Sequence, residues 1–231
     1  MAETVLFQAV DPQALFGGEF PTLGLGIVPF GEKKEASNAG RLAARNAVTS
    51  ILPVTHIPEE ITILKRESGR PYVDFEEGLF QSLFENGVLD VPVSITHFES
   101  ISLGFGVIDR GELPGVRIGV DTTSVDRMRA HIGNPRLKKI MAQSEIDEYN
   151  NDPRSLARRF AAKEAVSKVL GTGLKNGTYL NTIVTHEEDG IMSVQLTDGA
   201  LEHQERLRLA HFHIRHAESE GAVAAFVLAH R

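Results

Sequence analysis

The chain has 231 residues, no cysteine, 42% apolar and 24% charged residues, and a formal net charge of -7 at pH 7. This excludes a disulfide scaffold, a thiol nucleophile and a thiolate metal site, and the acidic balance argues against nucleic-acid binding. The apolar share is enough for packed cores, no run is long enough to cross a bilayer, and the first residues lack the pattern of a secretion signal, so a soluble cytoplasmic protein is expected.

In chain order, strand signals fall on residues 4–10, 61–67, 92–98, 102–108, 116–122, 193–197, 211–217 and 222–229. One helix is expected over about 38–52, stopped by Pro53. A second has Asp152 as N-cap, Pro153 at the first helical position, and Gly171 and Gly173 as terminators. Shorter helix-like stretches open at Gly78 and Gly199. The short connections between 92–98 and 102–108, and between 211–217 and 222–229, imply antiparallel hairpins.

These elements repeat. RLAARNAVTSIL, Arg41 to Leu52, and RFAAKEAVSKVL, Arg159 to Leu170, are identical at six of twelve positions. His97-Phe-Glu-Ser and His216-Ala-Glu-Ser each precede an apolar run, and Gly69 and Gly190 each sit between strand-like runs. A period near half the chain implies duplication rather than a solenoid. The expected fold is α+β: a pseudo-twofold pair of similar subdomains, each a small antiparallel sheet packed on a long helix. Gly111-Glu-Leu-Pro-Gly115 marks the boundary, giving subdomains 1–112 and 113–231.

The copies differ where it matters for chemistry: Glu164 in the later helix stands where the earlier one has Asn46. Asp121 ends a strand and could face a cleft, as could Glu164 from mid-helix. Two carboxylates from different elements converging on one point repel unless a cation lies between them, and hard Mg²⁺ suits such a pair. Lys163 and Lys168 would suit phosphate. The competing reading has Asp121 capping a turn and Glu164 paired with Lys168 on the surface. Between Asp126 and Lys139 five basic residues accompany one acid, which is either a solvated face or a docking stripe for an acidic partner.

GVDTTSVDRM (119–128), SEIDEY (144–149) and LARRFAAKEAVSKVLGTGL (156–174), in that order, resemble the signature of the 4'-phosphopantetheinyl transferases. The second half resembles the short holo-(acyl carrier protein) synthase type, and the duplication resembles the longer surfactin-synthetase-activating type. The resemblance implies transfer of the phosphopantetheine arm of coenzyme A to a serine of an apo acyl or peptidyl carrier protein, releasing 3',5'-ADP, in fatty-acid or polyketide biosynthesis. It implies Mg²⁺, or Mn²⁺, held by Asp121 and Glu164, with Glu164 helping to remove the serine proton and Lys168 contacting phosphate. Arg41, Arg70, Thr96 and His97 would hold coenzyme A, with Lys33 and Lys34 more loosely matched; His216, the twin of His97, would be a half-buried hairpin histidine. An acidic carrier would dock near Arg127–Lys139. Asn46 implies one active site per chain; the duplication implies a pseudo-dimeric monomer, and neither nucleic acid nor membrane is expected as a partner. Thr123 replaces the second acid of the longer type, so a water would complete the metal shell. The alternative is a non-catalytic module that binds carrier protein or coenzyme A.

Overall fold

The computed structural model describes residues 10–17, 22–53, 58–149, 151–173 and 182–231. It divides into two compact units, Met1–Ile118 and Gly119–Arg231. The strand expected at 4–10 lies, apart from its last residue, outside the described residues. Among the described residues no helix is long and apolar enough to cross a membrane.

The first unit contains a one-turn helix α1 (Pro12–Leu15), β1 (Leu23–Pro29), α2 (Ala36–Thr49), β2 (Ile61–Lys65), β3 (Pro71–Phe75), α3 (Glu77–Glu85), β4 (Val93–Phe98) and β5 (Ile101–Val107). Strands β1, β5 and β4 form an antiparallel sheet with β5 central, and β2 and β3 form a hairpin. The helix α2 lies on the three-stranded sheet through its buried Ala39, Gly40, Ala43, Ala44, Ala47 and Val48. Glycines opposite allow this approach. A β-carbon at Gly26 would stand 2.0 Å from the Ala43 carbonyl oxygen, and one at Gly104 2.3 Å from the Ala44 nitrogen. Gly26 and Gly104 are themselves cross-strand partners, so the contact runs over one spot on the sheet. The helix ends at Thr49, earlier than the expected residue 52, where the Ser50 hydroxyl donates to the Ala47 carbonyl at 2.8 Å. Pro53 follows an end already made.

The second unit contains β6 (Arg117–Ser124, beginning in the last residues of the first unit), α4 (Val125–Arg129), α5 (Gln143–Glu148), α6 (Pro153–Leu170), β7 (Ile183–Glu188), β8 (Ile191–Leu196), α7 (Asp198–Leu207), β9 (His211–Glu218) and β10 (Ala222–His230). Its three-stranded sheet has the order β6, β10, β9, and β7 pairs with β8. Apart from α1 in the first and α4 and α5 in the second, each unit runs from a strand to a long helix, a hairpin, a short helix and a second hairpin. In both sheets the last strand lies between the first and the penultimate.

The ends of α6 are as the sequence implies: Asp152 accepts from the Arg154 and Ser155 amides, and Gly171 turns left-handed at φ 76°. Its burial is not amphipathic. Leu156, Ala157, Phe160, Ala161, Ala162, Ala165, Val166, Val169 and Leu170 are all buried, and so are Arg159 and Lys163. A helix enclosed on several sides can include charged residues only where they find partners. Here α5 and β7 supply them. Lys163 ion-pairs with Glu145, neither having exposed side chain, and donates to the Ile140 carbonyl at 2.9 Å. Glu145 also accepts from the Thr185 amide at 2.9 Å and the Ala142 amide at 2.7 Å. Arg159 donates to the Thr185 carbonyl at 2.7 Å and to Glu148 at 2.9 Å. Removing one partner of such a buried pair leaves an uncompensated charge, at a cost of about 3–5 kcal/mol.

Where β6 passes beneath α6, a β-carbon on Gly119 would stand 2.0 Å from the Ala165 carbonyl oxygen. That atom belongs to helix backbone, so the helix would have to lift. Gly119→Ala should destabilise the chain in urea unfolding by about 1–3 kcal/mol, the usual cost of overpacking. Gly78→Ala, in α3 with nothing within 4 Å of the added carbon, is the control; it should be neutral or stabilise by about 0.5–1 kcal/mol.

Candidate active site

The contact at Gly119 sets where the chemistry-bearing side chains meet. Asp121, two residues further along β6, keeps 14% of its side-chain surface. Lys168, its side chain 29% exposed, donates from its ammonium to Asp121 Oδ1 at 2.9 Å and to the Val120 carbonyl at 2.7 Å. Lys168 thus reaches across from α6 to β6, where the surface reading had it paired with Glu164. Glu164 lies one turn earlier on the same face of α6. Burial pushes its carboxyl up from 4.5 to about 7; the Asp121 charge adds to the rise, and Lys168 and then Arg127 oppose it. The two acids therefore sense each other across the helix–strand crossing. A carboxylate poised near neutrality suits proton transfer at physiological pH.

Around this pair, Phe160 stands one turn before Glu164 with the Arg127 guanidinium 5.3 Å from its ring centroid. The α4 segment is thereby held beside the site. Ser124 caps α4 by accepting from the Arg127 amide at 3.3 Å. Thr123, on the same side of β6 as Asp121 by strand alternation, is buried, and its hydroxyl oxygen makes no hydrogen bond among the described residues. Among those residues no group of three His, Cys, Asp or Glu side chains gathers as a metal cluster.

Lys163 is not part of this site. Its neighbour in sequence, Glu164, points about 100° away around the helix, and Lys163 is enclosed with Glu145. It presents no surface to a phosphate, and burial lowers its pKa from 10.5 to about 8 in spite of the Glu145 charge. The sequence held a signal for this: Arg159 and Lys163 are four apart and share a face, whereas Phe160, Glu164 and Lys168 form a different row.

The candidates in the first unit are more dispersed. Arg41 is exposed on α2 and donates to the Ser37 hydroxyl at 3.3 Å. His97 is exposed, its Nδ1 2.8 Å from the Ser102 hydroxyl, which itself donates to the Ala36 carbonyl at 3.4 Å. A β-carbon at Gly40 would lie 2.5 Å from the His97 ring, so Arg41 leaves the helix one residue from that contact. Arg70 is half-buried in the β2–β3 turn, where burial lowers its pKa against the opposing Asp90 charge. Thr96 is buried. Lys33 and Lys34 lie exposed on one turn of 3₁₀ helix, with Lys34 paired to Glu32 at 2.8 Å. Asn46 is exposed, and half-buried His216 has its Nε2 3.2 Å from the Arg158 carbonyl.

The basic stripe is exposed at Arg127, Arg129, Arg136, Lys138 and Lys139, while Leu137 turns inward as its anchor. Arg129 is engaged by Asp126.

Residues 117–227 match the family model described as the 4'-phosphopantetheinyl transferase superfamily. A holo-[acyl-carrier-protein] synthase of Shewanella baltica (strain OS195) is 33% identical over 120 residues, covering 49% of this chain and 94% of the relative. One from Shewanella sp. (strain ANA-3) is 34% identical over 127 residues, covering 50% of this chain and 98% of the relative. The crystal structure of the Neisseria meningitidis holo-[acyl-carrier-protein] synthase is 27% identical, covers 49% of this chain and 97% of its own, and gives a TM-score of 0.44.

The electrostatics of the pair can be read directly. A carboxyl carbon titration by NMR should place Glu164 near pH 7. Asp121→Asn should lower that midpoint by removing a like charge, and Lys168→Met should raise it. Unchanged midpoints in both variants would show that the three groups are not coupled.

Proposed function

The chain belongs to the 4'-phosphopantetheinyl transferase superfamily, and on that footing we propose that it moves the 4'-phosphopantetheine arm of coenzyme A to a serine of an apo carrier protein, with Mg²⁺ and release of 3',5'-ADP. The observation that carries this reading is Glu164, held near neutrality beside Asp121 and Lys168 at one crossing of helix and strand.

The residues fit a hard divalent ion. Asp121 and Glu164 are oxygen donors whose like charges disfavour joint ionisation, and the buried Thr123 hydroxyl, without a hydrogen bond among the described residues, is suited to a bound water. Mg²⁺ or Mn²⁺, when bound, would offset the charge on the coenzyme A pyrophosphate. The remaining chemistry falls to the chain. Glu164 takes the proton of the carrier serine, directly or through a water. The serine oxygen forms its bond to the β-phosphorus as the bond to the bridging oxygen breaks, and 3',5'-ADP leaves with that electron pair. Lys168, one turn beyond Glu164, neutralises the charge that develops on the phosphate oxygens. Arg41 and His97, with Arg70 and Thr96, are proposed to hold the nucleotide phosphates. For Lys163 that role is withdrawn, since its ammonium is enclosed with Glu145. Asn46 gives the first unit no equivalent carboxylate, which supports one active site per chain.

The carrier is proposed to be acidic and to dock on the stripe from Arg127 to Lys139. Its exposed Arg136, Lys138 and Lys139 flank the anchor Leu137, and Arg127 connects the stripe to the site through Phe160.

Incubating the chain with coenzyme A, Mg²⁺ and an apo carrier protein should add one phosphopantetheine arm, read by mass spectrometry of the carrier. Glu164→Gln should fold normally and lower the rate about 100-fold or more, as expected for loss of a proton acceptor. A carrier that binds but never gains mass would show the chain to be a binding module. Separately, Arg136→Glu with Lys139→Glu should raise KM for the carrier about tenfold, more steeply at low salt, while KM for coenzyme A stays unchanged. An equal rise for both substrates would remove the stripe from docking.

A further inference from the structure

The second unit holds a group of histidines that the transfer chemistry does not use. His211 and His213 are two residues apart on β9, so they project from one face of the sheet. His230, near the end of β10, is the direct cross-strand partner of His211, and His213 pairs with the nearby Leu228. All three imidazoles therefore share one face at one end of the β9–β10 hairpin. Ile214, Ala225, Val227 and Ala229, which alternate with them along the strands, pack into the core around α6, so the histidines lie on the opposite face.

The rings are in contact. His211 stacks on His230 with centroids 4.8 Å apart, and His213 stacks on His230 at 5.5 Å with 9° between the planes. His213 Nε2 lies 3.3 Å from His230 Nε2. Neutral imidazole is the metal-binding form. Two nitrogens bound at about 2.0–2.1 Å to a tetrahedral centre stand about 3.3–3.4 Å apart, the spacing already present between His213 and His230. The three donors do not converge on one point as they stand. His211 is exposed and half-buried His230 lies beside it, and exposed side chains change rotamer within nanoseconds.

We propose that His211, His213 and His230 form an imidazole site for a divalent transition ion of the Zn²⁺ or Cu²⁺ class, separate from the Asp121–Glu164 pair. His213 and His230 supply the first two ligands, and His211 turns to supply the third. An all-nitrogen donor set selects this class over Mg²⁺ or Ca²⁺, which seek oxygen. Bound there, the ion would clip the start of β9 to the end of β10. The inference rests on the hairpin alone and stands apart from the transferase reading.

The test uses the full chain without an affinity tag, titrated with Cu²⁺ and followed by electron paramagnetic resonance, with Zn²⁺ binding measured by calorimetry. The expected result is one tight Cu²⁺ per chain with hyperfine coupling to at least two nitrogens. His213→Ala and His230→Ala should each weaken Zn²⁺ and Cu²⁺ by tenfold or more, whereas Asp121→Asn should leave the nitrogen-coupled signal unchanged. Zn²⁺ should also raise the Tm of the parent chain and not of His213→Ala. Absence of nitrogen coupling, or affinity equal in the parent and both histidine variants, would overturn the proposal.

Discussion

The distance between α6 and the backbone of β6 is the constraint on which the site depends. It is set by what Gly119 lacks, since a single added carbon would meet the Ala165 carbonyl. At that separation a lysine from the helix can reach a carbonyl and a carboxylate of the strand, and a glutamate one turn away feels the strand's aspartate. At a more usual helix–sheet spacing, Lys168 would be drawn away from Val120 and Asp121 and the like-charge coupling would weaken with distance. The close packing is therefore electrostatic in its consequences, although its origin is steric.

The same helix carries two rows of side chains in different surroundings. Arg159 and Lys163 point into protein and are matched by Glu145, Glu148 and the backbone of β7. They add no reactivity; they fix the rotation and depth of α6 against α5. Phe160, Glu164 and Lys168 occupy the other row, with Arg127 over Phe160 and Asp121 on Lys168. The second row is positioned by the first, because a side chain is held in place only by supports that are themselves locked.

Much of this was legible in the sequence, and the failures have physical causes. The limits of α6 were written in Asp152, Pro153 and Gly171, since caps are local chemistry. The antiparallel hairpins followed from alternating strands joined by short turns, and the carboxylate pair from an acid present in one copy of the helix and absent from the other. The strand β1 went unread because its glycines, a negative strand signal, are there to admit α2. β3 was read only as a strand-like run after Gly69, because Pro71 at its head weakens the strand signal. Lys163 was misassigned because residue type cannot say which side of a helix is enclosed; that depends on α5, which packs from elsewhere in the chain. The histidine group was invisible for a related reason, as His230 joins His211 and His213 only through the register of β9 on β10.

The glycine-lined contact recurs in the first unit, where Gly26 and Gly104 admit α2 against its sheet although that helix carries Asn46 in place of an acid. Scaffold and reactivity are thus encoded by different residues. An acid can therefore be present or absent on such a helix without relaxing its packing, because the glycines that admit the helix are separate residues. A fold stabilised by its own reactive groups would not have that freedom.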